Sequence, residues 1–165
     1  MRYSGKAFKY GNDVNTDVIF PGKYLNVWEP AEMAKHAMED IDKDFVNKVK
    51  RGDVIVAGKY FGCGSSREQA ATCLKAAGLS AVIAESFARI FYRNAINLGL
   101  PIMVCPGISN FVEAGDSLEV DPATGVIKNI TRGGEIKAKS LPPFILGILQ
   151  DGGLIPHLQK KLKNM

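Results

Sequence analysis

The chain has 165 residues, 46% hydrophobic and 23% charged, an ordinary balance for one globular domain with a sizeable core. Its formal net charge of +4 comes from lysines scattered along the chain, too mild and too dispersed to mark a nucleic-acid binder. No apolar run approaches the roughly 20 residues that span a bilayer, and the first residues, Met1 to Asp13, lack an apolar leader segment, so a cytoplasmic protein with no membrane partner is expected.

In chain order, Val18-Ile19-Phe20 reads as a strand after the turn-forming Asn15-Thr16-Asp17. Met33, Ala37, Met38 and Ile41 then share one face of an amphipathic helix, with Pro30 in its first turn. Val54 to Ala57, Ala81 to Ala84 and Ile102 to Cys105 are short apolar runs of the kind that form buried strands. Two helices are predicted between them. The first runs from about Ser66 to Ala77, with Ala70, Cys73, Leu74 and Ala77 inward and Gly78 as its stop. The second runs from about Phe87 to Leu98, with Phe87, Ile90, Phe91, Ala95 and Leu98 inward, and it stops at Gly99 and Pro101.

This alternation predicts a parallel β-α-β-α-β core. From Ser117 to Lys139 the pattern alternates and breaks at Asp121 to Gly125 and at Gly133-Gly134, which adds antiparallel strands. One or two short helices follow from Pro143, interrupted at Asp151 to Gly153, and the lysine-rich tail suits a helix C-terminus. Residues 1–165 are therefore expected to form a single α/β domain.

The three cysteines, Cys63, Cys73 and Cys105, have no C-x-x-C spacing, and the two histidines, His36 and His157, lie far apart. No metal site is expected. Cys73 and Cys105 read as core thiols, and Cys63 as the one near a surface cleft.

The segment between the first buried strand and the first helix, Phe61-Gly62-Cys63-Gly64-Ser65-Ser66-Arg67-Glu68, is unusually small and polar. Ser65 and Glu68 have the spacing of a capping box, with Ser65 at the N-cap. A strand, a glycine turn and a helix start also make an anion site, and the Arg67 guanidinium suits a carboxylate. Two readings stand side by side: a helix cap beside a surface ion pair, or a carboxylate-binding site. Phosphate is the weaker ligand, because the lysine of a phosphate-binding loop is missing.

Three segments together resemble the small subunit, or swivelling domain, of the aconitase superfamily: Gly11 to Leu25 (GNDVNTDVIFPGKYL), Gly58 to Ala70 (GKYFGCGSSREQA) and Glu85 to Val104 (ESFARIFYRNAINLGLPIMV). They occur in the family's order and cover most of the chain up to Cys105. The resemblance implies a swivelling-type β/β/α fold and an enzyme that moves a hydroxyl between neighbouring carbons by dehydration and rehydration. It implies that Ser65 is the base, that Arg67 binds a substrate carboxylate, that Ser66 donates a hydrogen bond nearby, and that Gly64 and Thr16 border the substrate. It implies that Asp17 orients a histidine of the partner chain. The family's cluster cysteines have no counterpart here. The resemblance therefore places a [4Fe–4S] cluster on a large subunit, with which this chain would form a heterodimer or heterotetramer, and no cofactor on this chain.

The same resemblance assigns the loop from Tyr24 to Pro30 to the substrate's variable side group, with Leu25, Asn26, Val27 and Trp28 reading it. Relatives that take a further carboxylate carry arginine where this chain has Asn26. Burying a carboxylate without a cation costs several kcal/mol, so a third carboxylate is disfavoured. Leu25, Val27 and Trp28 suit an isopropyl group, whose burial is worth about 2 kcal/mol. A malate-like dicarboxylate carrying an isopropyl group is expected. Homoaconitate-type and methylmalate-type substrates are the alternatives, and a non-catalytic carboxylate-binding module is the rival of another class.

Overall fold

In the computed structural model, which describes residues 1–165, the chain begins with a strand that its sequence conceals. This is β1 (Tyr3–Lys9), and it becomes the middle strand of a seven-stranded sheet. Serine, glycine and two lysines hide it, yet Gly5 is required there: a Cβ at that position would lie 2.2 Å from the Gly52 carbonyl oxygen.

Next come α1 (Thr16–Ile19), a 3-10 turn (Gly22–Tyr24), α2 (Pro30–Ala34) and α3 (Phe45–Lys48). Here two expectations fail. Val18 and Ile19 of the predicted strand are helical, because the Asn15 side chain caps the Val18 N–H at 3.1 Å, and only Phe20, the residue after the helix, is extended. The amphipathic helix ends at Ala34, although Pro30 does occupy its first turn. Met38 instead adopts a left-handed backbone, φ 60°, and its N–H bonds to the Ile19 carbonyl at 2.8 Å. Met33, Ala37 and Met38 are buried, but Ile41 is exposed.

The core follows the predicted order: β2 (Val54–Ala57), α4 (Glu68–Ala76), β3 (Ala81–Ala84), α5 (Arg89–Leu98) and β4 (Ile102–Val104). Every residue of β2 and β3 is buried, which explains their unbroken apolar runs: parallel strands are covered on both faces. Gly99 ends α5 in the left-handed conformation. On α5 the inward residues are Phe91, Ala95 and Ile96, whereas Ile90 faces solvent.

Then follow α6 (Ile108–Phe111), β5 (Ser117–Asp121), β6 (Val126–Asn129), β7 (Glu135–Lys137), α7 (Pro143–Gln150) and α8 (Leu154–Lys163). The sheet order is β4-β3-β2-β1-β5-β6-β7. β1 to β4 are parallel, and β5, β6 and β7 are antiparallel. The mixed α/β expectation holds.

Alternation along the central strands feeds two cores. Ile55, Ala57, Val82, Ala84 and Ile102 pack with residues of α4, α5 and α7 on one side. Val54, Val56, Ala81, Ile83 and Met103 pack with Ile108, Leu118, Val120 and Ile127 on the other. Because β1, β2 and β3 run parallel, the loops leaving their C-terminal ends emerge along one edge, the usual place for a ligand site in an α/β sheet.

Candidate active site

Backbone hydrogen bonds sew those three loops together. The loop after β2 lies in the middle. On one side Gly62 N–H donates to the Val14 carbonyl at 2.7 Å, and Thr16 N–H donates to the Cys63 carbonyl at 2.8 Å. On the other, Phe61 N–H donates to the Ser86 carbonyl at 3.1 Å and Ala88 N–H to the Phe61 carbonyl at 2.9 Å. Phe61 is fully buried and meets Phe87 and Phe91 edge-on, which anchors the loop in the core. Gly62 and Gly64 both take left-handed backbones, φ 85° and 97°, as a sharp exit from the strand requires.

Ser65 and Ser66 stand exposed at the apex of this loop. The capping-box expectation fails: α4 starts at Glu68, its N-cap is Arg67, and no side chain caps it. The reason lies in the Ser65 carbonyl, which accepts the Thr16 hydroxyl at 3.0 Å and the Arg67 N–H at 2.9 Å. This pins Ser65 outside the helix. Thr16 is 1% exposed, so the bond is shielded from water.

Arg67 is the second fixed group. Its Nη1 forms an ion pair with Asp17 and donates to the Phe20 carbonyl at 3.3 Å. The side chain lies mostly buried over Gly22, where a Cβ would come within 3.4 Å of Nη2. Nη1 is thus committed to α1 and the residue that follows it. Asp17 remains largely exposed and meets Arg67 within the chain, a pairing that motif reading missed.

The fold therefore brings Thr16, Asp17, Gly64, Ser65, Ser66 and Arg67 onto one edge. The turn Leu25-Asn26-Val27-Trp28 begins three residues beyond Gly22 and is only half built: Val27 packs against the core, while Leu25, Asn26 and Trp28 are exposed, Trp28 by 85%. Internal packing of Trp28 is ruled out. A separate cavity of about 990 Å³ runs along β1, lined by Phe8, Tyr10, Asp42 and Leu118 among others, with none of the site residues in its wall.

Cysteine chemistry adds nothing to this edge. Partial burial and the nearby Asp13 push the Cys63 thiol up, and burial pushes Cys105 up to about 11, with Glu85 adding to it. Cys73 is buried and also pushed up, chiefly by desolvation. The cysteines do not converge, and no group of three His, Cys, Asp or Glu side chains is placed to hold a metal ion, so these residues do not fit an iron–sulfur cluster.

Comparisons with known proteins concern the chain as a whole. The sequence pattern of the Aconitase C-terminal domain family matches residues 11–106. A 3-isopropylmalate dehydratase small subunit from Caldicellulosiruptor bescii is 57% identical over 163 residues, 99% of this chain and 98% of that protein. An isopropylmalate/citramalate isomerase small subunit from Methanocaldococcus jannaschii is 57% identical over 158 residues, 96% of this chain and 94% of that one. The solved structure of a 3-isopropylmalate dehydratase (leuD) from Methanocaldococcus jannaschii superposes with a TM-score of 0.93 at 47% identity, covering 98% of this chain and 95% of that one.

Proposed function

The chain belongs to the Aconitase C-terminal domain family, and from that premise we propose that it is the small subunit of a 3-isopropylmalate dehydratase. The reaction is a hydro-lyase isomerisation of leucine biosynthesis: 2-isopropylmalate loses water to an alkene, which takes water back at the neighbouring carbon to give 3-isopropylmalate. The small-subunit relatives imply a large-subunit partner.

The observation that carries this reading is the turn that presents Ser65 and Arg67 together. Ser65 Oγ, as an alkoxide, takes the proton from the carbon beside the hydroxyl-bearing one, holds it while the alkene forms, and returns it on rehydration. Arg67 keeps Nη1 on Asp17 and Phe20 and offers its remaining N–H groups to a substrate carboxylate. Ser66 donates beside it, and Thr16 holds the Ser65 backbone so that the hydroxyl need not search for its position. Asp17 fixes Arg67 and, being exposed, is free to orient a histidine of the large subunit. A [4Fe–4S] cluster on the large subunit would supply the Lewis acid for the departing hydroxyl.

Asn26 leaves no cation for a third carboxylate, which favours the isopropyl substrate over a homoaconitate type. A broader range that includes citramalate is the second reading, supported by the isopropylmalate/citramalate relative and by the open turn at Leu25 to Trp28.

The test is Ser65→Ala in enzyme reconstituted anaerobically with its large subunit. Hydration of 2-isopropylmaleate should fall by about a thousandfold or more. The melting temperature of the isolated chain should not change, because Ser65 caps nothing. Turnover within about twofold of the parent would remove Ser65 from the chemistry.

A further inference from the structure

Tyr24 is held firmly for a residue in a surface turn. Its ring stacks on His36 with centroids 3.6 Å apart and planes 12° from parallel. Its hydroxyl donates to Glu39 Oε1 at 3.1 Å, His36 Nδ1 lies 3.4 Å from the same oxygen, and Lys23 Nζ lies 3.7 Å from Glu39 Oε2. Glu39 is presented by Met38, the fully buried residue in a left-handed backbone, whose N–H is bonded to the carbonyl of Ile19. Such a conformation at a non-glycine residue persists only where the surroundings impose it.

Ile19 ends α1, the helix that carries Thr16 and Asp17. At the other end of the path, the Tyr24 carbonyl accepts the Val27 N–H at 2.9 Å and so shapes the turn that carries Leu25, Asn26 and Trp28. A continuous chain of bonds runs from the catalytic helix through Met38 and Glu39 to Tyr24 and the turn. The turn buries little of itself, so packing alone does not fix it.

We propose that Glu39, acting through Tyr24 and His36, is a positioning residue that fixes the Leu25–Trp28 turn relative to Ser65 and Arg67 and thereby sets selectivity for the substrate side group. The proposal rests on the dehydratase reading. Glu39 does not touch substrate. Partial burial works against its ionisation, but hydrogen bonds from Tyr24 and His36 and the charge of Lys23 outweigh it and keep the carboxyl below its ordinary range, so it is an acceptor at neutral pH.

The experiment uses the reconstituted enzyme with Glu39→Ala, Glu39→Gln and Tyr24→Phe. Glu39→Ala should raise KM for 3-isopropylmalate about fivefold to tenfold with kcat within about twofold, the pattern of lost side-group binding. The inhibition constant of an analogue with methyl in place of isopropyl should move less. Glu39→Gln, which keeps an acceptor for the Tyr24 hydroxyl, should restore most of the loss. Tyr24→Phe, which keeps the stacked ring, should reproduce it, and the double variant should be no worse than Glu39→Ala alone.

An unchanged KM, an equal change for both side groups, or additive effects would overturn the clamp. Ser65→Ala, run in parallel, separates the two ideas. If Ser65→Ala is inactive and the Glu39 variants behave like the parent, the clamp fails and the dehydratase reading stands. If Ser65→Ala retains turnover, the reading beneath the clamp fails with it.

Discussion

Gly62→Ala is the sharpest test of how the loop that carries Ser65 is held. Gly62 has φ 85°, and an added Cβ would sit 2.3 Å from both Cβ and Cγ of Phe91, a core residue only 2% exposed. Two costs add. A left-handed backbone at alanine costs about 1–2 kcal/mol, and forcing a methyl into a packed core costs about 1–3 kcal/mol. The sum is about 2–5 kcal/mol, which for a chain of this length lowers the melting temperature by about 5–15 °C. Trimming Phe91 offers no relief, because even alanine at position 91 keeps the Cβ that the new methyl meets. Either α5 shifts or the loop lifts, and a lifted loop loses the Gly62 bond to Val14 and the neighbouring Thr16 bond to Cys63. Thermal unfolding of the isolated chain reads the first effect, and turnover of the reconstituted enzyme reads the second. A melting temperature within about 2 °C of the parent would refute the reasoning, since the loop would then relax without help from α5.

Two further outcomes follow from the same contacts. Arg67→Lys should lower kcat/KM by about a hundredfold, because an ammonium cannot serve Asp17, the Phe20 carbonyl and a substrate carboxylate in one plane; steady-state kinetics near parental values would argue against carboxylate binding by Arg67. Asp116 is buried, and although burial pushes its carboxyl up, donors from Glu113 N–H, Asn129 and Arg132 hold it below its ordinary range. A depressed folded-state value means stability that is present above the unfolded value of about 4 and is lost as the pH falls through the folded one, so resistance to denaturant should fall from about pH 4 downward, and Asp116→Asn should flatten that fall while costing about 2 kcal/mol at neutral pH.

The parts of the fold legible in the sequence are those whose environment is uniform. β2, β3 and β4 are buried on both faces, so apolar runs mark them, and α5 ends where Gly99 must end it. β1 was hidden because its place is set by neighbours: pairing with β2 and β5 makes a strand of Tyr3 to Lys9, whose own residues carry a weak strand signal. At α1 three apolar residues suggested a strand, but Asn15 supplied the cap that made a helix, a signal present in the sequence and outweighed by hydrophobicity. The Ser65 capping box had the right spacing and the wrong start, because the bond from Thr16, 49 positions earlier in the chain, decides where the helix begins. The pairing of Asp17 with Arg67 is equally non-local. Motif resemblance nominated these residues as a candidate site, and spacing alone does not reveal which of them touch.

The exposure of Ser65 determines what the large subunit has to add. A serine hydroxyl open to water keeps its proton, since it is a very weak acid and water screens any positive charge that would favour an alkoxide. This chain supplies part of the positive surroundings: Arg67 is fixed one residue beyond Ser66, with its charge shared by Asp17, and the N-terminus of α4 has no side-chain cap, with Glu68 in its first turn. In water those terms are weak. Covering the edge with a second protein would remove that screening, and the hydrogen bonds that join the loop to Val14, Thr16, Ser86 and Ala88 hold these groups in place beforehand. On the proposed reading the same serine is an inert hydroxyl in the lone chain and a base in the assembly, where the strengthened attraction of those positive groups has to exceed the cost of desolvating an alkoxide.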